Sequence, residues 1–203
     1  IPFTYNDVCW NRQYTTKKHY SVLYLGRIDY DKGLLDLLYA VKILSDEQVF
    51  FKLKIIGSGN ALEGLKKKCA ELNINQNVDF LGAILEKEEI KSAYLNADIY
   101  VLPTYHEGFA RTLFEAMIFG TPIITTLVGG IPGFMRDEYN CVMIEPKSAT
   151  SIAQKLLFAM NNYENMVEYA RNGLKTVSDI LDPKMPSHGE QLHKIITGED
   201  SAE

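Results

Sequence analysis

Cysteine is scarce in this sequence and belongs to no recognisable motif. The three cysteines, Cys9, Cys69 and Cys141, are far apart, odd in number and outside any Cys-x-x-Cys pair. This spacing argues against both a disulfide framework and a zinc site. No grouping of His, Cys, Asp and Glu along the chain has the spacing of metal ligands either. We therefore expect a protein that needs no bound metal.

Long apolar runs and an excess of positive charge are also absent. No stretch reaches the ~18 apolar residues of a membrane span, and the beginning of the sequence lacks the charged-then-apolar pattern of a signal peptide. The formal net charge is −5 and the pI is near 5.5. Such a balance argues against nucleic acid and against a polybasic membrane contact. We expect a cytoplasmic protein with no membrane span and no nucleic-acid partner.

A second domain, internal repeats and low-complexity segments are not evident. A chain of 203 residues that is 46% hydrophobic is long enough for one ordinary globular domain with a full core. We predict a linker or lead-in over residues 1–19, lying outside the core, because this segment is polar and irregular. The predicted domain covers 20–180, and residues 181–203 are predicted to form a C-terminal tail with a short helix.

The apolar residues follow strand-like and helix-like patterns in alternation. We predict strands at 21–25, 50–56, 78–81, 99–102, 122–125 and 141–144, and helices over 34–44, 62–72, 90–95, 109–119, 149–160 and 163–180. Strands that alternate with helices at this spacing are joined by right-handed βαβ crossovers. The predicted fold class is therefore α/β, a Rossmann-like three-layer domain with a parallel sheet covered on both faces.

Two glutamates, Glu107 and Glu115, lie eight residues apart where the predicted strand 99–102 leads into a helix. The start of a helix offers free N–H groups and partial positive charge, which stabilise an anion such as a diphosphate. Carboxylates beside it can accept hydrogen bonds from sugar hydroxyls. The arrangement suggests a nucleotide sugar, although two glutamates at this separation are also common by chance.

A second motif, Gly26-Arg-Ile-Asp-Tyr-Asp-Lys-Gly33, follows the first predicted strand and places Arg27 and Lys32 at the carboxyl end of the sheet. In an open α/β sheet this edge is the binding crevice. A guanidinium and an ammonium group can offset the charge of a diphosphate brought close to the two glutamates. Taken alone the motif also fits a loop of solvated charges, so the prediction depends on both motifs occurring together.

These motifs, together with Glu115-Ala-Met-x2-Gly-Thr-Pro and Val128-Gly-Gly-Ile-Pro132, resemble the carboxyl-terminal domain of retaining glycosyltransferases of the GT-B fold, family 4, also called group 1. The resemblance runs from about Tyr20 to Ile180. It implies that Arg27 and Lys32 bind the donor diphosphate, that Glu115 binds the ribose hydroxyls and that Glu107 contacts the transferred sugar. The resemblance thus gives Glu107, Arg27 and Lys32 as catalytic residues. The implied substrate-binding residues are Gly26, Gly108, Phe109, Ala110, Arg111, Thr112 and Glu115.

The resemblance also implies the reactants. The donor would be a UDP- or GDP-sugar, used without a cofactor or metal. The acceptor would be a glycan or lipid-linked molecule bound by an N-terminal domain that this sequence does not contain, and that domain could hold the enzyme at the inner face of the membrane. The Glu-Gly-Phe-Ala-Arg-Thr variant resembles family branches that build surface polysaccharides.

Some positions depart from the family pattern, and other functions remain open. Ala110 replaces a frequent glycine, Gly133-Phe134 replaces an acidic and an aliphatic residue, and Cys141 stands where Asn-Gly is usual. A non-catalytic nucleotide-sugar-binding module is the main alternative. A dinucleotide-dependent oxidoreductase is a weaker one, because the glycine fingerprint is absent after the first predicted strand. Gly57-Ser-Gly59, which follows the second predicted strand, does not supply it either, because Leu62 stands at the position of the third glycine. His106 beside Glu107 could serve in proton transfer or have no chemical role.

Overall fold

The computed structural model describes residues 2–182, which form an α/β fold around one parallel sheet. The six strands are β1 (Tyr20–Leu25), β2 (Phe51–Ile56), β3 (Val78–Gly82), β4 (Ile99–Leu102), β5 (Ile123–Thr125) and β6 (Val142–Met143). The six α-helices are α1 (Leu34–Asp46), α2 (Leu62–Glu71), α3 (Lys87–Leu95), α4 (Arg111–Ile118), α5 (Ala149–Asn161) and α6 (Tyr163–Leu181). Short 3-10 helices occupy Tyr5–Asp7, Tyr30–Lys32 and Ile131–Gly133.

The strand order is β3-β2-β1-β4-β5-β6, and every neighbouring pair is parallel. The chain moves outward from β1 towards β3 and then, after returning to β4, outward in the opposite direction. Right-handed crossovers consequently place α1 and α4 on opposite faces of the sheet. Helix α1 packs against α2 and α5, whereas α4 packs against α6. The predicted three-layer fold class is confirmed.

The core lies between the sheet and both helix layers. Strands β1, β4 and β5 are almost wholly buried, as strands covered on both faces must be. Side chains such as Leu37, Leu53 and Val101 are fully enclosed. The largest differences from the predicted bounds are that α3 begins at Lys87 instead of Ile90, that α4 begins at Arg111 instead of Phe109, and that β6 covers only Val142–Met143. The predicted short helix of the tail lies outside the described residues.

The segment before β1 is largely irregular, but it does not lie outside the core. Phe3 is buried and meets Phe119 at the end of α4 edge to face, with ring centroids 4.8 Å apart. Arg12 donates hydrogen bonds to the carbonyl oxygens of Phe119 at 2.9 Å and Tyr94 at 3.1 Å, and also to that of Ala97. The expectation that residues 1–19 pack outside the core is therefore wrong. Although the segment is mostly polar, its Phe3 and Arg12 contact residues at the ends of α3 and α4.

Candidate functional site

The site lies where the direction of strand order reverses, between β1 and β4. In open α/β sheets ligands bind outside the carboxyl ends of the strands at such a point. The loops after β1 and β4 enclose a cleft of about 270 Å³ here. Its lining contains these predicted site residues: Gly26, Arg27, Lys32, Glu107, Phe109, Ala110, Arg111 and Thr112. Gly108 is exposed on the same loop and Glu115 lies behind the first turn of α4, so neither forms part of this lining.

The loops after β1 and β4 are pressed together at Gly33. This residue adopts the left-handed conformation with φ +68°, and a Cβ placed on it would lie 2.0 Å from the carbonyl oxygen of Pro103. Only glycine permits so close an approach without moving the backbone. The Tyr105 N–H also donates to the carbonyl oxygen of Asp31 at 2.8 Å. The glycine of the Lys-Gly motif therefore brings Lys32 against the Glu107 loop.

Lys32 is almost fully enclosed, with only 7% of its surface exposed. Its ammonium Nζ lies 3.0 Å from Glu107 Oε2, 3.3 Å from the carbonyl oxygen of His106 and 3.6 Å from Asp31 Oδ2. A buried ammonium must have such partners, because leaving it unpaired costs several kcal/mol, roughly 3–5 in measured cases. Lys32, which is predicted to bind the diphosphate, and Glu107, which is predicted to contact the sugar, thus form an ion pair with each other.

Arg27 is placed very differently, on the open rim of the cleft. Its side chain is 72% exposed, and Nη1 lies 2.7 Å from Asp29 Oδ2. Beneath it, the buried hydroxyl of Tyr24 donates to the Arg27 carbonyl oxygen and holds the backbone of the loop. The guanidinium can therefore swing towards an anion while its backbone stays fixed.

The start of α4 faces the cleft without a side chain closing it. Ala110 is the N-cap residue and supplies no capping hydrogen bond. A helix start of this kind leaves N–H groups and partial positive charge available to an anion. Arg111 in the first turn makes no ion pair within 4.0 Å among residues 2–182. The geometry suits one or more phosphate oxygens.

Glu115 is a buried carboxylate, 7% exposed, in the middle of α4. Its Oε2 lies 3.1 Å from the hydroxyl of Tyr94 on α3. Burial raises the pKa of Glu115, while the hydrogen bond from Tyr94 and the charge of Arg111 act in the opposite direction. Sequence reasoning missed Tyr94, because a helical tyrosine with apolar neighbours is most simply interpreted as core.

Two glycines support the Glu107 loop from behind. A Cβ on Gly129, where φ is +57°, would lie 1.9 Å from the Glu107 carbonyl oxygen, and one on Gly130 would lie 2.1 Å from that of Gly108. The Gly130 N–H also donates to the Glu107 carbonyl oxygen at 3.1 Å. The Val128-Gly-Gly-Ile-Pro132 motif therefore fixes the position of the loop by close backbone contact.

Phe109 presents an exposed aromatic ring at the rim of the cleft. The ring is 57% exposed and stacks on Phe114, with centroids 4.7 Å apart. Phe134, one of the departures from the family pattern, packs against Phe114 at 4.4 Å. This departure thus builds an aromatic cluster beside the cleft.

Asp29 and Asp31, which pair with the two cations, were not predicted to take part in the site. Both lie within the motif itself, so the signal was present in the sequence. His106 contributes its carbonyl oxygen to the site, as the acceptor for Lys32 and for the hydroxyl of Thr104. Within 2–182 no three His, Cys, Asp or Glu side chains are grouped as a metal ion requires, and none of the described helices could span a bilayer.

Comparison with known sequences identifies a protein family that matches this chain. Residues 10–176 match the model of the family described as glycosyl transferases group 1. An uncharacterized glycosyltransferase of Methanocaldococcus jannaschii is 36% identical over 133 residues, which are 65% of this chain and 33% of that protein. A 2-deoxystreptamine N-acetyl-D-glucosaminyltransferase of Niallia circulans is 29% identical over 143 residues, 70% of this chain and 36% of that one. The matched region thus spans about a third of these curated relatives.

Solved structures show the same fold. The C-terminal domain of a group 1 family glycosyl transferase, LpcC, from Francisella tularensis has a TM-score of 0.71 and 27% identity, covering 78% of this chain and 84% of that one. HepE from Anabaena, solved in complex with UDP, has a TM-score of 0.75 at 18% identity, covering 89% of this chain and 49% of that one. The second likeness concerns the fold alone. From the family match over most of its length, we conclude that this chain belongs to the glycosyl transferases group 1 family.

Proposed function

We propose that this chain is the donor-binding domain of a retaining, family 4 glycosyltransferase that moves a hexosyl unit from a UDP- or GDP-sugar to a glycan or lipid-linked acceptor. The observation that carries the proposal is the pairing of Lys32 with Glu107 at the switch point, 3.0 Å apart beside the uncapped start of α4. Cations, helix N–H groups and a carboxylate converge there on one small cleft. That set matches a sugar diphosphate, which carries charge at one end and hydroxyl groups at the other.

Each part of the donor has a counterpart in the site. Lys32, Arg27 and the start of α4 would bind the diphosphate. Glu107 would accept hydrogen bonds from the transferred sugar, and Glu115 from the ribose. In the transfer step the bond between the anomeric carbon and the diphosphate oxygen breaks, and a bond to the acceptor oxygen forms. The proton of the acceptor hydroxyl leaves with the diphosphate, whose growing charge the two cations stabilise.

The same set of groups makes a metal unnecessary in this proposal, because the positive charge comes from side chains and the helix. The acceptor would be bound by another domain of the whole protein. We propose that the protein works in the cytoplasm, at the inner face of the membrane, where the acceptor-binding domain would meet a lipid-linked acceptor. The resemblance of the Glu107 loop to polysaccharide-building branches supports a role in surface polysaccharide synthesis.

Calorimetry and thermal melting with UDP and GDP, both in EDTA, test the proposal. A ligand at ~100 times its Kd should stabilise the fold by about 2.7 kcal/mol. The variants Arg27→Ala and Lys32→Ala should each lose about one to two decades of affinity, the value of one charged hydrogen bond. Lys91→Ala, which removes an exposed ion pair with Glu88 on α3, serves as the control. If neither diphosphate shifts the melting temperature at millimolar concentration, the proposal is wrong.

A further inference from the structure

Three buried tyrosines direct their hydroxyls at residues that line the cleft. Tyr24 donates to the carbonyl oxygen of Arg27, and Tyr100 donates to that of Leu25 at 3.1 Å. The Tyr94 hydroxyl lies 3.1 Å from two acceptors, Glu115 Oε2 and the carbonyl oxygen of Thr112. A buried tyrosine hydroxyl usually has a hydrogen-bond partner, and any nearby acceptor would serve. These contacts alone therefore do not indicate a role in the site.

Tyr94 differs from the other two because it contacts a side chain of the site. In the described part of the chain, no Lys, Arg or His side chain forms an ion pair within 4.0 Å of the Glu115 carboxylate. The hydroxyl of Tyr94 donates a hydrogen bond to this carboxylate. The groups that face Glu115 are Tyr94 from α3, Tyr100 from β4 and Arg111 from its own helix. Burial also raises the pKa of Tyr94 well above its ordinary value, so this hydroxyl remains a donor.

We infer that Tyr94 is a positioning residue for the proposed donor site: its hydroxyl holds Glu115 in the orientation in which the carboxylate accepts hydrogen bonds from the ribose of the nucleotide. The inference rests on the proposed function. With Oε2 tied to Tyr94, the other oxygen of the carboxylate stays available for the ligand. Because the same hydroxyl contacts Thr112, it also sets the carboxylate against the first turn of α4, where the diphosphate is expected.

The first test uses Tyr94→Phe and needs no ligand. Removing the hydroxyl takes away the hydrogen bond that lowers the pKa of Glu115, so that pKa should rise. Carbon-13 NMR of the glutamate carboxyls, with Glu115 assigned by the Glu115→Gln variant, measures it. The control is Tyr163→Phe, which removes another buried hydroxyl, bonded to the Asp98 carbonyl oxygen at 3.3 Å. An unchanged pKa of Glu115 in Tyr94→Phe overturns the inference.

The second test measures recognition of the ribose. The affinities of UDP and GDP are compared with those of their 2′,3′-dideoxy counterparts. For Tyr94→Phe we expect roughly a tenfold loss with the ribonucleotide and none with the dideoxy form, and no further loss when Glu115→Gln is already present. Because protonated Glu115 has lost its charge and accepts hydrogen bonds from the ribose hydroxyls more weakly, the ribonucleotide preference should also weaken at a higher pH in Tyr94→Phe than in the wild type.

The outcomes separate the two claims. Equal losses for both nucleotide forms indicate a merely structural role and overturn the inference while the proposed function stands. If the wild-type protein binds no nucleotide, the proposed function fails, and the carboxyl titration still decides whether Tyr94 holds Glu115.

Discussion

Lys32 Nζ lies 3.0 Å from Glu107 Oε2, so the lysine expected to bind the diphosphate is held by the glutamate expected to contact the sugar. An ammonium group has three protons. Here it has three oxygen neighbours, the others belonging to His106 and Asp31. A phosphate oxygen can therefore reach Lys32 only by displacing or sharing one of them. The carboxylate of Glu107 thus contacts the same ammonium group that a phosphate oxygen would contact.

Replacing Glu107 by glutamine should separate diphosphate binding from sugar binding. Glu107→Gln removes the competing charge, so the affinity for the nucleoside diphosphate should rise about tenfold, or ~1.4 kcal/mol. The nucleotide sugar should gain less or lose affinity, because its sugar loses a charged acceptor. Calorimetry on both ligands gives the ratio, with Glu88→Gln as the control for loss of an exposed ion pair. Equal changes for the two ligands would contradict this division of roles.

The fold, and the placement of Arg27, Lys32 and Glu107 around one cleft, could be predicted because the signals are local. Alternating patterns identify β1 and β4, and the motifs after those strands place Arg27, Lys32 and Glu107 at one edge of the sheet. The predicted start of α4, at Phe109, is two residues too early. Alanine favours helices, but the backbone of Ala110 has ψ 77° and is not helical.

Contacts between distant parts of the chain could not be predicted. Tyr94 and Glu115 belong to different helices, and the pairing depends on how α3 and α4 pack on the sheet. Arg12 contacts carbonyl oxygens of residues 94, 97 and 119, none of which is near it in the sequence. No periodicity marks such a contact, because it arises only once the core has formed.

Gly129 is expected to control the position of the Glu107 loop. In Gly129→Ala the new methyl group would meet the Glu107 carbonyl oxygen at 1.9 Å, and the residue would retain an unfavourable φ of +57°. The loop must then move, and the affinity for a nucleotide sugar should fall at least tenfold. Gly133→Ala is the matched control, because nothing lies within 4 Å of its Cβ position. Isothermal titration of both variants decides; unaltered affinity in Gly129→Ala would show that the loop position is unimportant.

Arg12 joins the segment before β1 to the ends of α3 and α4. The carbonyl oxygens at a helix C-terminus carry partial negative charge and lack partners within the helix. The guanidinium of Arg12 supplies donors to the carbonyl oxygens of Tyr94 and Phe119, and to the hydroxyl of Thr121 at 2.8 Å. This contact stabilises the fold at the edge of the sheet opposite the cleft.

Arg12→Met should destabilise the protein without changing nucleotide affinity. Leaving charged hydrogen bonds unmade costs roughly 1.5–3 kcal/mol. For a domain of this size the melting temperature should fall by about 3–12 °C. Arg171→Met is the control: both arginines lie over the Tyr14 ring, at 5.4 Å and 6.0 Å, but Arg171 caps neither helix. A similar loss in both variants would assign the effect to the aromatic contact.

The 203-residue chain alone should bind the donor but transfer sugar at a rate close to background. In the proposed function the groups of this site, which lie along one edge of one sheet, supply the donor side of the reaction, and another domain binds the acceptor. Positioning the second reactant is worth up to ~7–11 kcal/mol of the barrier. Water entering an open cleft would further weaken the electrostatic stabilisation that Lys32 and Arg27 provide.

A mass-shift assay with lipid-linked and soluble acceptors measures sugar transfer, first by this chain alone and then by the chain joined to an acceptor-binding domain. Transfer by the joined protein with retained anomeric configuration, lost in Glu107→Ala, supports the enzyme; its absence in every combination favours a non-catalytic binding module. Robust transfer by the chain alone would show that the acceptor site lies within these residues.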